Sequence, residues 1–474
     1  MRTEGILLVV RAIDCGVRPV RLRLPFRFGA VTLERCPQLF VRATVEVAGR
    51  GTWQGHAAEL MVPKWFDKRP GFSHADNVAH LAGAVERTVQ AYAGDRPASA
   101  FELFERHHAA LAAEGRRLGA TDLSSTFGPA VTDRAVIDAL CAALGLSVFD
   151  AVARNALGLQ PSALLPDLRD LDWNAWLPTL APRRHVDARH TVGMLDALQP
   201  VAADGGALPV SLPAVIERYG HRVFKIKLGG DPQADVQRLG DVLAVLDRQA
   251  PEHRYSLDGN EQYADLDKLR ELFDRLRDLP AFARHPDALL YLEQPLPRDR
   301  SFDTPLPALP CPLLMDEADG TLDAFVRGRD AGWQGVSSKG CKGFYKSLVN
   351  RARCDRWNGA ARRNGHGPGW FMSAEDLTCQ AGLAVQQDLA LTALLGLGHA
   401  ERNGHHYADG FGDAPPAERE AFARAHPDLY DGDARLRIVH GRIALHSLSG
   451  AGYAHAATPD WAAMQPLSHA PTHV

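Results

Sequence analysis

The chain has no CxxC pair, no zinc-ligand spacing and no apolar run long enough to cross a bilayer. Its seven cysteines (Cys15, Cys36, Cys141, Cys311, Cys341, Cys354, Cys379) are scattered and odd in number, which argues against a disulfide framework and predicts a reduced, cytoplasmic protein. The apolar stretch 6–10 is too short for the core of a signal peptide. Positive charge is not in excess either. With a net charge of -4 and a pI near 6.6, neither a nucleic-acid footprint nor an anionic membrane surface is expected as a partner. Short-period repeats and low-complexity segments are absent. What is present is ordinary globular usage, 46% apolar and 23% charged over 474 residues, a length that calls for a second domain or a barrel with a large appendage.

The first part reads as strands followed by helices. Residues 6–12, 20–24 and 39–47 are β-branched or alternating, punctuated by Pro25, Gly29 and Pro37. Residues 77–93, 100–118 and 133–157 carry helical periodicity, and four prolines between 161 and 182 place a boundary near 185. Beyond it, short apolar strands (190–193, 223–228, 255–258, 289–293, 313–316, 335–339 and, more weakly, 370–373) alternate with amphipathic helices such as 212–219, 234–248 and 266–277. That pattern specifies a parallel sheet, closed as a barrel or open and doubly wound. The expected organisation is a unit over 1–185, a (β/α) unit over 186–404 and a C-terminal segment over 405–474, with one more strand at 436–445.

Charged residues end successive strands: Lys225 and Lys227, Asp258, Glu293, Asp316, then Lys339. In a parallel barrel these carboxyl ends share one face, where catalytic groups collect. Buried charge costs several kcal/mol unless it is paired or metal-bound, so the series is not incidental. Three carboxylates aimed at one point repel each other, and a hard divalent cation relieves that conflict; all-oxygen ligation without a nearby cysteine favours Mg2+. Lys225 and Lys227 share a face by alternation, and adjacent cations would favour neutral amines suited to general-base work. The arrangement suits removal of a proton next to a carboxylate, whose conjugate base is an enediolate with two negative oxygens.

At these residues the chain resembles the enolase superfamily, specifically its muconate-lactonising and mandelate racemase-like branch. The matching pieces are KxK at Lys225-Ile226-Lys227, DxN at Asp258-Gly259-Asn260, LEQP ending at Pro295, Asp316-Glu317, and Lys339. Pro25-Phe26 with Gly29, the segment 52–59, the stretch 133–159 and the stretch 441–452 are similar to that family's capping domain and returning strand. The resemblance implies a modified (β/α) TIM-type barrel, an α/β fold, with an N-terminal α+β capping domain, and a homo-oligomer acting on a small carboxylate. Its implied metal ligands are Asp258, Glu293 and Asp316, and its acid/base pair is Lys227 and Lys339. Lys225, Asn260, Glu317, Glu375 and Glu401 become substrate contacts or supporting groups. The pattern of a lysine base with a magnesium-stabilised enediolate is general to that superfamily.

Bland readings stand beside these. A strand-end carboxylate can simply cap a helix, and a strand-end lysine can snorkel to solvent. Alternation prefers Asp316 over Glu317 as ligand, while Lys342 competes with Lys339. The pairs His107-His108 and His405-His406 are what twenty histidines produce by composition. Trp65, Phe66 and Lys68, between Pro63 and Pro70, fit a lid loop or ordinary packing. The segments 54–56, 340–345, 373–376 and 401–406 depart from the family's usual motifs, which leaves the substrate open. Racemisation, epimerisation or cycloisomerisation is favoured. Acid-sugar dehydration on the same metal site is the first alternative, a carboxylate-binding barrel without turnover the second, and a metal-dependent hydrolase a weaker third.

Overall fold

Two long antiparallel strands, β1 (Leu8–Phe28) and β2 (Val31–Val47), form a ribbon that turns at Gly29 with φ of 53°, and β3 (Gly51–Leu60) lies on the other edge of β2. These features come from a computed structural model, which describes residues 5–303, 305–364, 369–377 and 380–467; Cys379 lies outside them. Of the three expected breaks, only Gly29 interrupts the ribbon. Pro19 sits directly opposite Pro37, so both missing donors fall at one pair, and a register shift between Arg21 and Phe26 absorbs Pro25.

One helix packs on this sheet, and two more pack on that helix. α1 (His74–Tyr92) opens with a capping box between Ser73 and Asp76, α2 (Ala100–Arg117) is capped by Ser99, and α3 (Asp122–Leu144) runs from a Thr121 cap to Gly145. The third helix thus starts at Asp122 and not at residue 133. Nearly every residue of α3 is buried, and this packing carries the helix through Pro129 against a local penalty of about 3 kcal/mol. Glycine is needed at two contacts of α3. A Cβ at Gly128 would lie 2.2 Å from the Ala84 carbonyl oxygen of α1, and one at Gly55 of β3 would lie 2.1 Å from that of Ala135.

The second unit is a closed parallel barrel. Its strands are β4 (His185–Val192), β5 (Val223–Lys227), β6 (Arg254–Asp258), β7 (Leu289–Glu293), β8 (Leu313–Met315), β9 (Gly335–Ser338), β10 (Phe371–Ala374) and β11 (His399–Arg402). Neighbours pair in chain order, and β11 pairs with β4 to close the ring. Each strand is followed by helical segments, giving a modified (β/α) TIM-type barrel under an N-terminal cap. The eighth strand, only four residues long, escaped the sequence pattern.

After the barrel, β12 (Arg442–Ala444) pairs antiparallel with the start of β4, and the stretch 441–452 reaches the cap at its end, where Gly452 pairs with Ser147. The contact continues beyond it. The Tyr453 N–H donates to Asp138 of α3 at 2.6 Å, the His455 ring meets the same carboxylate at 2.7 Å, and β13 (Gln465–Pro466) pairs with β1. No helix among the described residues is long and apolar enough to cross a membrane.

Asp133 of α3 is buried and accepts a hydrogen bond from the Tyr92 hydroxyl at 2.8 Å; burial pushes its carboxyl up to about 8, against the Tyr92 bond and nearby Arg134. Between about pH 4 and 8 the folded chain therefore holds a proton the unfolded chain has released, and this contribution to stability falls as pH rises. Asp133→Asn removes that dependence. Its melting temperature should gain on the wild type from pH 5 to pH 8; a constant difference across that range would show that Asp133 is ionised when folded.

Candidate active site

Strand alternation builds the barrel floor. On β5, Phe224 and Ile226 join the hydrophobic core, while Lys225 and Lys227 meet the carboxylates of neighbouring strands. On β4, Arg189 and Thr191 point the same way. Arg189, with no exposed surface, donates to Ser373 Oγ at 2.8 Å and pairs closely with Tyr291 and Glu375, and Thr191 donates to Glu401 at 2.6 Å. Arg189, Thr191 and Tyr291 were not singled out in the sequence. Had β4 been taken from residue 185, alternation would have placed Arg189 inside.

Lys225 is the centre of the constellation. Its ammonium lies 2.9 Å from Asp258, 2.8 Å from Glu293, 2.9 Å from Glu375 and 2.9 Å from Glu401, all wholly buried. An ammonium has three N–H donors, and here they go to Glu293, Glu375 and Glu401. Burial works against the charge on Lys225, but the four carboxylates, Asp258 foremost, hold its pKa well above the usual lysine value. Asp258 instead accepts from Lys227 at 2.6 Å, and Lys227 also donates to Asn260 at 2.8 Å.

Asp316 sits at the other end of the row. Lys339 donates to its Oδ2 at 2.7 Å, Ser337 to its Oδ1 at 2.6 Å, and Lys342 is 3.2 Å from Oδ1. Gln294 braces the backbone there, its Oε1 accepting from the N–H groups of Asp316 and Ala318 at 2.9 and 3.0 Å. Lys342 thus serves Asp316 alongside Lys339. Glu317 faces away from this group, toward Lys68 at 2.9 Å and Asn260 at 3.3 Å.

These contacts divide the carboxylates. Burial raises Asp258 and Asp316, but the lysines beside them outweigh it and hold both below the ordinary carboxylate value. Glu401 is likewise held well below against its burial, Lys225 foremost. Glu293 goes the other way: burial, then the Asp258 and Glu375 charges, push it well above. The lysines differ from expectation too. Burial opposes the charge on Lys339, yet Asp316 outweighs it and favours the ammonium, because carboxylates and not cations are its nearest partners.

The cap closes the site. Phe26, Phe28, Leu33, Val62 and Trp65 roof a small cavity of about 20 Å³ whose floor includes Lys225, Lys227, Asp258 and Lys339. The Lys339 ammonium lies 4.3 Å from the Trp65 ring centre and that of Lys227 lies 5.6 Å from Phe26. Arg298, in the loop after β7, donates to the backbone oxygens of Trp65 and Phe66 at 2.8 Å, and Lys68 binds Glu261 at 2.7 Å. Segment 63–70 is therefore a roof tied to the barrel.

The donor set fits a hard divalent cation. Asp258, Glu293 and Asp316 end or follow three adjacent strands, offer only oxygen, and are fully buried. The Lys225 ammonium is the cation beside Glu293, 2.8 Å from its Oε2, and burial with the Asp258 and Glu375 charges outweighs it, so negative charge here exceeds what one lysine offsets. Among the described residues, the three-residue groups whose ligand atoms lie within 4.8 Å of one another all contain histidine and lie elsewhere; Lys225 stands between Asp258 and Glu293. His405 and His406, read above as a product of composition, belong to those groups.

No protein-family model and no curated protein sequence matches the chain. Solved structures do. A muconate lactonizing enzyme from Mycobacterium smegmatis, complexed with muconolactone, is 19% identical over 98% of this chain and 99% of its own, with a TM-score of 0.61. An enolase from Bradyrhizobium, complexed with magnesium and mandelic acid, is 16% identical over 97% of each chain, with a TM-score of 0.58. A dipeptide epimerase from Methylococcus capsulatus, complexed with magnesium and L-Arg-D-Lys, is 16% identical over 95% of this chain and 100% of its own, with a TM-score of 0.58. The fold is the one these enolase-superfamily structures share.

Removing the Lys225 ammonium leaves four carboxylates facing one another. Lys225→Met should lower unfolding stability by about 3–5 kcal/mol, as expected when one partner of a buried ion pair is lost. Urea titration measures it, and an unchanged midpoint would show that the carboxylates do not depend on this lysine.

Proposed function

We propose that this chain is an enolase-superfamily enzyme that removes the proton next to a substrate carboxylate, with Lys227 and Lys339 as the acid/base pair. The observation that carries the reading is the row Asp258, Glu293, Asp316 with an amine at each end, Lys227 on Asp258 and Lys339 on Asp316. Asp258, Glu293 and Asp316 would hold Mg2+, which supplies Lewis-acid stabilisation of the substrate's carboxylate oxygens.

The rest is done by the chain's own groups. Lys227 ends β5 and Lys339 directly follows β9, at opposite ends of the row, so a substrate carbon between them would meet one amine on each face. One lysine takes the proton to give an enediolate and the other returns a proton from the far side. A base must first be neutral, and carboxylates engaged by a divalent ion no longer favour the ammonium form of Lys339 as they do here. Lys225 retains Glu375 and Glu401 as partners and offsets their charge behind the row. The roof excludes water, which strengthens every charge interaction beneath it.

The roof also bears on the substrate class. Of the roof residues Phe26, Phe28, Leu33, Val62 and Trp65, only Trp65 carries a hydrogen-bonding group, a single indole N–H, which suits a carboxylate with an apolar body better than a polyhydroxylated acid sugar. Racemisation, epimerisation or cycloisomerisation is accordingly preferred over dehydration.

Incubating the protein with Mg2+ and a carboxylate library in deuterium oxide tests the reading. Wild type should incorporate deuterium next to the carboxylate of at least one apolar acid, and chelation should stop it. Lys227→Ala and Lys339→Ala should each lose exchange at one face by about 10²–10⁴-fold while still binding Mg2+. Full exchange in both variants would refute the acid/base assignment, and turnover of aldonates alone would favour the dehydratase.

A further inference from the structure

Outside the barrel, on the opposite side of β4 from Arg189 and Thr191, lies a second cluster that the proposed reaction does not use. His190 of β4, His221 in the turn before β5 and His405 just after β11 bring three ring nitrogens together. His405 Nε2 lies 3.1 Å from His221 Nε2 and 3.2 Å from His190 Nδ1. All three residues are buried.

Proton accounting shows why this arrangement is unusual. His221 Nδ1 lies 3.0 Å from the Ala188 carbonyl oxygen, which can only accept, so this nitrogen carries the hydrogen and His221 Nε2 is a bare lone pair. If His405 Nε2 carries a hydrogen, it faces two lone pairs, and His190 must hold its own hydrogen on Nε2, which has no partner. If His190 Nδ1 carries the hydrogen instead, His405 Nε2 and His221 Nε2 meet lone pair to lone pair. His405 then holds its hydrogen on Nδ1, which also lacks a partner. In either case at least two lone pairs converge and a buried N–H is left unsatisfied, at a cost of about 1–3 kcal/mol.

We propose that His190, His221 and His405 form a binding site for a divalent transition-metal ion, with zinc the ion their chemistry matches. Nitrogens about 2.0–2.1 Å from a tetrahedral zinc are separated by roughly 3.3 Å, close to the two spacings observed. Imidazole is a preferred zinc donor, whereas magnesium takes oxygen, so this cluster and the carboxylate row select different ions. The Ala188 carbonyl fixes the His221 tautomer as outer partners of metal-bound histidines do, and a ring nitrogen of His190 lies within 4.8 Å of the Asp196 carboxylate. A small cavity bordered by His405 and Tyr219 lies beside the cluster. Burial keeps the rings in the neutral, ligating form, with His221 lowered to about 4.

The other histidine-containing groups carry less. Asp138 between His56 and His455 is already bound by two backbone N–H groups and the His455 ring. The site inferred here would clamp β4, the approach to β5 and the end of β11, which is where the barrel closes.

The test uses the full-length protein, stripped with a chelator and returned to millimolar Mg2+ so that the carboxylate row is supplied with its own ion. Wild type should then retain one equivalent of Zn2+ after dialysis. Asp258→Asn should retain it as well, while His221→Gln and His405→Gln should bind Zn2+ more weakly by more than the about 10–100-fold that losing an outer partner costs. Circular dichroism in chelator checks that the variants fold. If they do not, zinc-edge X-ray absorption of the wild type decides, with imidazole scattering from three rings expected. Loss of Zn2+ from wild type under excess Mg2+, equal retention by both histidine variants, or an oxygen-only shell would overturn the proposal.

Discussion

The barrel mouth is organised by one ammonium among four carboxylates. Lys225 lies within 2.9 Å of Asp258, Glu293, Glu375 and Glu401, contributed by four different strands or strand ends. With three N–H groups it cannot serve all four, so Asp258 is passed to Lys227, while Glu293, though it accepts from Lys225, is pushed up by burial and by the Asp258 and Glu375 charges. The same shortage of internal positive charge that strains Glu293 makes the row a place for a divalent cation. Stability and the proposed chemistry thus draw on one charge imbalance.

The cap is coupled to this arrangement through buried polar contacts. Arg134 of α3 donates to Glu59 of β3 at 2.9 Å and reaches Gln387 of the barrel helix Leu383–Leu394, which in turn donates to the His56 carbonyl at 2.7 Å. Lys68 and Arg298 do the same for the roof. Because the roof meets the lysines with Trp65 and Phe26, a shift of the cap changes the environment of the groups that would move protons. The large burial of α3 gives this coupling a rigid base.

Much of this was legible in the chain. Alternation on β5 puts Lys225 and Lys227 on one face, and the charged ends of successive short strands are the groups that meet at the barrel mouth. What escaped were features whose signal is not local. The strand His399–Arg402 has Ala400 as its one apolar residue and so shows no strand pattern, and an expected β4 starting at residue 190 hides Arg189. Pro25 and Pro37 read as breaks because a proline's cost depends on its cross-strand partner, which the linear chain does not reveal. His405 and His406 looked like composition because His190 and His221 lie far away along the chain.

The sequence by itself determined which faces are apolar, which strands end in charge, and hence that a parallel barrel would gather lysines and carboxylates at one rim. Those properties follow from periodicity and from the cost of burying unpaired charge, both local to each segment. Only the tertiary structure decided which carboxylate each lysine takes, which pKa values rise or fall, and which distant histidines meet. Those outcomes depend on separations of a few ångströms between groups such as His190 and His405, which the chain holds 215 residues apart.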